Sequence, residues 1–399
     1  MSALADQQPK RIADMFKNSK KAASGIYAVD LYNLGVPRTV VVDDYLAFRP
    51  RVTVGSQPRV KLNEKELDKD EYPQTHIWPP ILEKAVAKML GNYFHIEGGS
   101  TGQGLGLLTG APYDKYKHPA VVKAGKGKGG TEDLWKDIVR YLKAGHFVTT
   151  GTSGHAYSVL SAQEVGGKRY MVVRNPWGHE DKETFGYKDD DLAKQLGKAK
   201  LEDYELNVND GQFVMDWETE YLVKFVDTYL SLDTTLWAYD HFLRLDDKTK
   251  SSERPGIREG ICGKKCLRYE FTLSSTKDQN VYVNMWMWPN SAYIRHPPTK
   301  PKGPSIFDYD DKQVVFLEYI VGKTINLAQK TDLTGATAMK EPLKMKAGES
   351  TKIAIEFDTE GSSNFKDWSV TAWGDEGGDS IKLTPNDKSL KSDKWPEIK

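Results

Sequence analysis

Apolar positions along the chain switch between two periods. Ile12, Met15 and Phe16 lie three and four apart, as on one face of a helix, whereas residues 25–31 and 39–44 read as strands around a turn at Gly35 and Pro37. Ile81, Leu82, Ala85, Val86, Met89 and Leu90 form an apolar stripe on a helix that Pro80 can start and Gly91 can stop. The glycine-rich run from Gly98 to Gly110 predicts irregular chain. A second block begins near Pro112. Thr131 is placed to cap a helix with Glu132 and Asp133 in its first turn, and Leu134, Trp135, Ile138, Val139 and Leu142 make its buried face. Strand patterns follow over residues 147–150, 156–160 and 170–174, the last two joined across a Gly166-Gly167 turn.

From about Leu236 the helical period fades. Short β-rich runs at 267–273, 281–288, 314–320, 351–357 and 368–373, several of them alternating apolar and polar residues, lie between turns rich in Gly, Pro and Asn, the pattern of an antiparallel sandwich. The Lys- and Asp-rich end after Pro385 reads as a loose tail. The organisation that follows has three parts: residues 1–110, 111–232 and 233–399.

Composition narrows the function. The 399 residues carry 56 basic and 56 acidic side chains, so no bulk field draws the chain to nucleic acid or membrane. The longest apolar runs are too short to span a bilayer, and residues 1–20 have no secretory h-region. The two cysteines, Cys262 and Cys266, cannot build a disulfide framework for a chain this size, which predicts a soluble, intracellular, reducing setting. Their four-residue spacing, with no further Cys or nearby His, is a poor zinc pattern, so they read as free thiols.

The informative chemistry is Gly154-His155-Ala156-Tyr157-Ser158-Val159, followed twenty residues on by Arg174-Asn175-Pro176-Trp177-Gly178. A histidine starting one strand and an asparagine ending the next can meet across a hairpin. There the Asn oxygen can accept one imidazole N–H and aim the other ring nitrogen outward, while Trp177 covers the bond from water. A His and an Asn near strand ends are ordinary polar residues in most chains; the wording of the two motifs together singles these out. The Gly98–Gly106 run lacks the Lys-Ser/Thr ending of a phosphate loop.

Both motifs resemble the second catalytic lobe of the calpains, calcium-dependent cysteine proteases with a papain-like split site. Residues 40–46 resemble that family's first-lobe strand, residues 82–93 its long helix, and Asp210-Gly211-Gln212-Phe213-Val214-Met215 its closing segment. The resemblance implies an α+β fold: a papain-like two-lobed calpain core, then an antiparallel C2-like β-sandwich. It implies His155 as general base, Asn175 as its orienting partner and Trp177 as the shield.

The family's nucleophile stands N-terminal to the histidine in a Gly-Asp-Cys-Trp run, and the chain's opening resembles that helix from just after Cys-Trp-Phe. The expectation is that Met1 lies three positions past the missing cysteine, through a late start or a truncation, and that the chain as written does not cut peptides. Cys262 and Cys266 follow the histidine and sit in the sandwich block. The resemblance further implies one Ca²⁺ held by Asp181 or Glu183, Asp189 or Asp190, the Val208 carbonyl and Asp210, with Gln212 where the family has Glu; Glu97 is a candidate carboxylate of the first lobe's own calcium loop. The partners it implies are protein substrates in the interlobe cleft. A non-catalytic pseudoprotease acting as a protein- or lipid-binding scaffold is the alternative, with Lys300 and Lys302 of the sandwich placed to meet phospholipid.

Overall fold

The structure is a computed structural model. It describes the chain except residues 19–23, 47–77, 97–98, 126–129, 179–184, 209–210, 246–265, 289–314, 322–323, 332–334, 339–340, 359–366, 387–389 and 391–399. Two short helices, α1 (Ser2–Gln7) and α2 (Pro9–Met15), precede a hairpin of β1 (Ile26–Asn33) and β2 (Val36–Asp43). Then come α3 (Trp78–Leu90), a 3-10 turn at Tyr93–Ile96, α4 (Thr101–Thr109), β3 (Tyr113–Lys117), α5 (His118–Ala124) and α6 (Thr131–Lys143). Strands β4 (Phe147–Gly151), β5 (Ala156–Val165) and β6 (Lys168–Arg174) follow, with α7 (Asp189–Leu196), β7 (Gln212–Asp216), a π-turn at Trp217–Tyr221, α8 (Leu222–Lys224) and β8 (Asp227–Ser231). The remainder is β9 (Ala238–Leu245), β10 (Cys266–Ser275), β11 (Gln279–Trp288), β12 (Val315–Val321), β13 (Thr324–Thr331), β14 (Gly335–Ala338), β15 (Leu343–Met345), β16 (Ser350–Asp358), β17 (Asp367–Gly374) and β18 (Ile381–Pro385).

These elements gather into two compact units. One holds residues 1–12, 101–106 and 111–235; the other holds 13–100, 107–110 and 236–399. The first is built on a six-stranded antiparallel sheet in the order β3-β8-β4-β5-β6-β7. Its middle strand β4 is buried at every position, as expected of a strand covered on both faces. Helix α6 packs its Leu134, Trp135, Ile138 and Tyr141 face against β4 and β5. Its N-cap is Gly130, one residue before the expected Thr131.

The second unit contains the β1–β2 hairpin, α3 and two facing sheets, ordered β13-β12-β16-β10-β18 and β14-β11-β17-β9. Phe271, Leu273, Ile353 and Ile355 of one sheet pack against Phe242, Val283, Met285 and Trp368 of the other, so the alternation read in the sequence is a sandwich core. Leu390 lies in that core too, so that residue of the expected loose tail is packed, while 387–389 and 391–399 lie outside the described residues.

The Gly98–Gly110 expectation is corrected. Thr101–Thr109 is helical because three leucines are buried and glycine permits a close approach: a Cβ on Gly102 would lie 2.5 Å from Tyr229 and 2.6 Å from Tyr113. Packing overrides the weak propensity of glycine. Among the described residues no helix is long and apolar enough to cross a membrane.

Candidate active site

Strand β4 ends at Gly151, and the chain turns through Thr152, Ser153 and Gly154 before β5. The turn closes on itself: the Thr152 N–H donates to the His155 carbonyl at 2.9 Å, and Thr152 Oγ1 accepts the His155 N–H at 3.2 Å. The Val226 N–H, one residue before β8, donates to the Gly151 carbonyl at 2.8 Å and holds the strand end. In the next hairpin Ser158 pairs with Arg174, which places Asn175, just beyond β6, near the start of β5. His155 Nε2 lies 2.8 Å from Asn175 Oδ1.

The proton on that bond can be assigned. The Trp177 backbone N–H, which can only donate, lies 3.1 Å from the same Asn175 atom, so that atom is the carboxamide oxygen. An oxygen with no hydrogen must accept from the imidazole, so Nε2 carries the hydrogen and Nδ1 of the neutral ring keeps its lone pair. Asn175 is fully buried, and its Nδ2 finds no partner among the described residues.

Two aromatic rings fix the imidazole plane. Trp177 sits over it at 4.2 Å between centroids while remaining 62% exposed. Tyr157 meets it edge-on at 4.7 Å and 86°. Tyr157 is itself buried among Phe185, Phe213 and Phe225, with centroids 5.0–6.0 Å away. Gly211 fixes Asn175 from the other side. Its carbonyl accepts the Asn175 N–H at 2.8 Å, its φ is +91°, and a Cβ there would lie 2.8 Å from the Asn175 carbonyl oxygen. Sequence reasoning placed Gly211 in the closing segment but missed this contact, and it missed Tyr157 as a support; the glycine and the aromatic spacing were the visible signals.

Behind β4 a second polar group is sealed off. His118 is fully buried with Nε2 2.8 Å from Thr228 Oγ1, which also pairs with the Tyr221 hydroxyl at 2.8 Å. Burial pushes the His118 pKa down to about 4 and raises that of Tyr221. Lys115 of β3 pairs with Asp227, the first residue of β8, at 3.0 Å.

Helix α1 packs on β4 and β5. Its C-terminal end is fixed by Gln7, which donates to the Leu160 carbonyl, and by Gln8 beside Gly145.

Of the other expected site residues only Asp189, Asp190 and Val208 are described. Asp181, Glu183 and Asp210, like Glu97, Lys300, Lys302 and Cys262, lie outside the described residues. Asp190 is exposed in the first turn of α7, Val208 is exposed in a loop, and Asp189 is engaged by the Tyr204 hydroxyl at 2.6 Å and the Asn207 N–H at 3.1 Å. Among the described residues no three His, Cys, Asp or Glu side chains cluster as metal ligands. Hard Ca²⁺ wants about six to eight oxygens, and the described members of the expected set do not supply them. Cys266 begins β10 in the second unit.

Comparison with known proteins agrees with the motif reading. A family model described as calpain family cysteine protease matches residues 1–231. The chain is similar to the calpain-type cysteine protease ADL1 of Oryza sativa, 28% identical over 238 residues, which is 55% of this chain and 10% of that protein. It is similar to the calpain-like protease palB of Emericella nidulans, 28% identical over 174 residues, 40% of this chain and 18% of that one. It is also similar to the calpain-1 catalytic subunit of Macaca fascicularis, 25% identical over 236 residues, 54% of this chain and 30% of that one. The matched regions thus span less than a third of the length of each of these relatives.

Proposed function

Since the chain belongs to the calpain family of cysteine proteases, we propose that it is the body of a peptide-bond hydrolase that carries the base half of a Cys-His-Asn site and, in these 399 residues, no cysteine ahead of the histidine. The observation that carries this reading is the 2.8 Å His155–Asn175 bond whose oxygen also accepts from Trp177.

His155 Nδ1 is the free base. Given a thiol beside it, Nδ1 takes the sulfur's proton and the thiolate attacks the peptide carbonyl carbon. The imidazolium then returns the proton to the leaving amine, and in the second half Nδ1 takes a proton from the water that splits the acyl-sulfur bond. Asn175 holds the ring so that Nδ1 faces outward throughout. Trp177 keeps water from competing for the Nε2–H. The C2-like identity of the sandwich, an intracellular setting and calcium dependence are carried over from the family as parts of this proposal.

The purified 399-residue chain is expected to show no hydrolysis of casein or peptide substrates, with or without calcium. Adding Gly-Asp-Cys-Trp-Phe ahead of Met1 is expected to restore little hydrolysis, because an oxyanion donor is still missing and such a donor is worth about 3 kcal/mol. The added thiol should nevertheless be alkylated by iodoacetamide faster than a free cysteine at pH 6, and His155→Ala should abolish the acceleration. Robust hydrolysis by the unmodified chain, blocked by a thiol-directed epoxide, would overturn the reading. A second reading, a pseudoprotease that binds peptides without turnover, is favoured by the missing thiol alone; it predicts peptide binding to the unmodified chain that Trp177→Ala weakens.

A further inference from the structure

In the sandwich, side chains of the β11-β17-β9 sheet alternate between the core and an outer face. Val283, Met285, Trp368, Val370 and Phe242 point into the core. The alternate positions form a grid in register: Trp286, Ser369 and Leu243 in one row, then Asn284, Thr371 and His241, then Tyr282, Trp373 and Tyr239. An outer face open to water should be exposed, yet Ser369, Thr371 and Asn284 are fully buried and Trp286 and Trp373 are 5% and 3% exposed. Buried hydroxyls and amides need partners.

The β1–β2 turn supplies cover and partners. Ser369 Oγ donates to the Leu34 carbonyl, and the Tyr239 hydroxyl donates to the Gly35 carbonyl at 2.7 Å. Trp286 Nε1 donates to Thr371 Oγ1 at 3.2 Å directly beneath Gly35, where a Cβ would collide with the indole and lie 2.9 Å from the Thr371 methyl. Tyr32 packs against Trp373 at 6.3 Å. The turn itself carries a second signal. Leu34 and Gly35 both have positive φ, 52° and 68°, as in the two-residue hairpin turns that favour Asn-Gly. A leucine in that conformation is unfavourable. Here it is 1% exposed, so the backbone accepts a poor conformation in order to seat an apolar side chain.

We propose that the outer face of the β11-β17-β9 sheet is the seat of the Leu34–Gly35 turn, and that hairpin and sandwich open as one cooperative body, so that the sandwich is not a separable docking module. This rests on the hairpin geometry alone and does not depend on any peptidase activity. It also means that a ligand loosening the sandwich loosens the first strands of the chain with it.

Hydrogen exchange on the full chain tests it. Amides of Tyr27–Val42, Val281–Trp286 and Ser369–Trp373 should share one opening equilibrium. Leu34→Asn discriminates cleanly. At a free hairpin turn it relieves the leucine and slows exchange of the hairpin; at a seated turn it removes the anchor. The expected result is exchange roughly tenfold faster or more in all three segments together, with Ala156–Arg174 unchanged. Gly35→Ala, through its collision with Trp286, should do the same. Slower hairpin exchange in Leu34→Asn, or faster hairpin exchange with the sandwich strands unmoved, would overturn the proposal.

Discussion

An oxygen that accepts two hydrogen bonds has lost its freedom to flip, and Asn175 is in that position. Replacing it with alanine leaves the Trp177 N–H and the imidazole Nε2–H, both half-buried, without their acceptor and opens a space where the buried carboxamide sat, so Asn175→Ala should cost about 1–3 kcal/mol in denaturant unfolding, with an unchanged slope. Gly211→Ala meets two obstacles at once, a φ of +91° and a carbonyl 2.8 Å from the new Cβ. It should cost about 1–3 kcal/mol and displace the Asn175 backbone. At this scale the sequence was half legible. His155, Asn175 and Trp177 announce themselves by motif, because the chemistry dictates residue type. Tyr157 and Gly211 do not, because their roles come from which segments the sheet brings together.

Strand β8 is the support on which the end of β4 rests, and buried His118 packs behind it. Protonating that ring in place would leave a charge without water, which is why burial holds its pKa near 4, below the ordinary 6.5. The Phe225 carbonyl and Asp227 oppose the shift. A pKa depressed in the folded state means that the unfolded chain binds the proton more readily. The His118 contribution is therefore fully present above about pH 6.5 and is lost as pH falls toward 4, amounting to roughly 3 kcal/mol over that window. Unfolding free energies measured from pH 7 to 4 should show this loss, and His118→Gln should flatten it. A variant with the same pH slope would show that His118 is not the titrating group. The elements were legible where period and length agree, as in α6 and β5–β6. Helix α4 was not, since Gly102 reads locally as a breaker and is needed for its approach to Tyr113 and Tyr229.

At the scale of the molecule, alternation alone marked residues 236–399 as a sandwich, because an antiparallel sheet with one face in a core has a period of two wherever it occurs. What alternation cannot say is which distant segment covers the other face; Leu34 and Gly35 are some 250 residues before Trp286. Nor does it show that residues 1–12 pack with residues 111–235, since Arg11, bonded to Asp233 and Thr235, looks in the sequence like any surface arginine. Removing it with Arg11→Ala leaves Asp233 without its cation, and the expected loss is about 1–3 kcal/mol, read by thermal unfolding. The proposed chemistry depends on the state of one imidazole. A long-range proton–nitrogen spectrum of the neutral His155 ring in the intact chain should show hydrogen on Nε2, protected from exchange, and a bare Nδ1. Hydrogen on Nδ1, or two tautomers in rapid exchange, would contradict it.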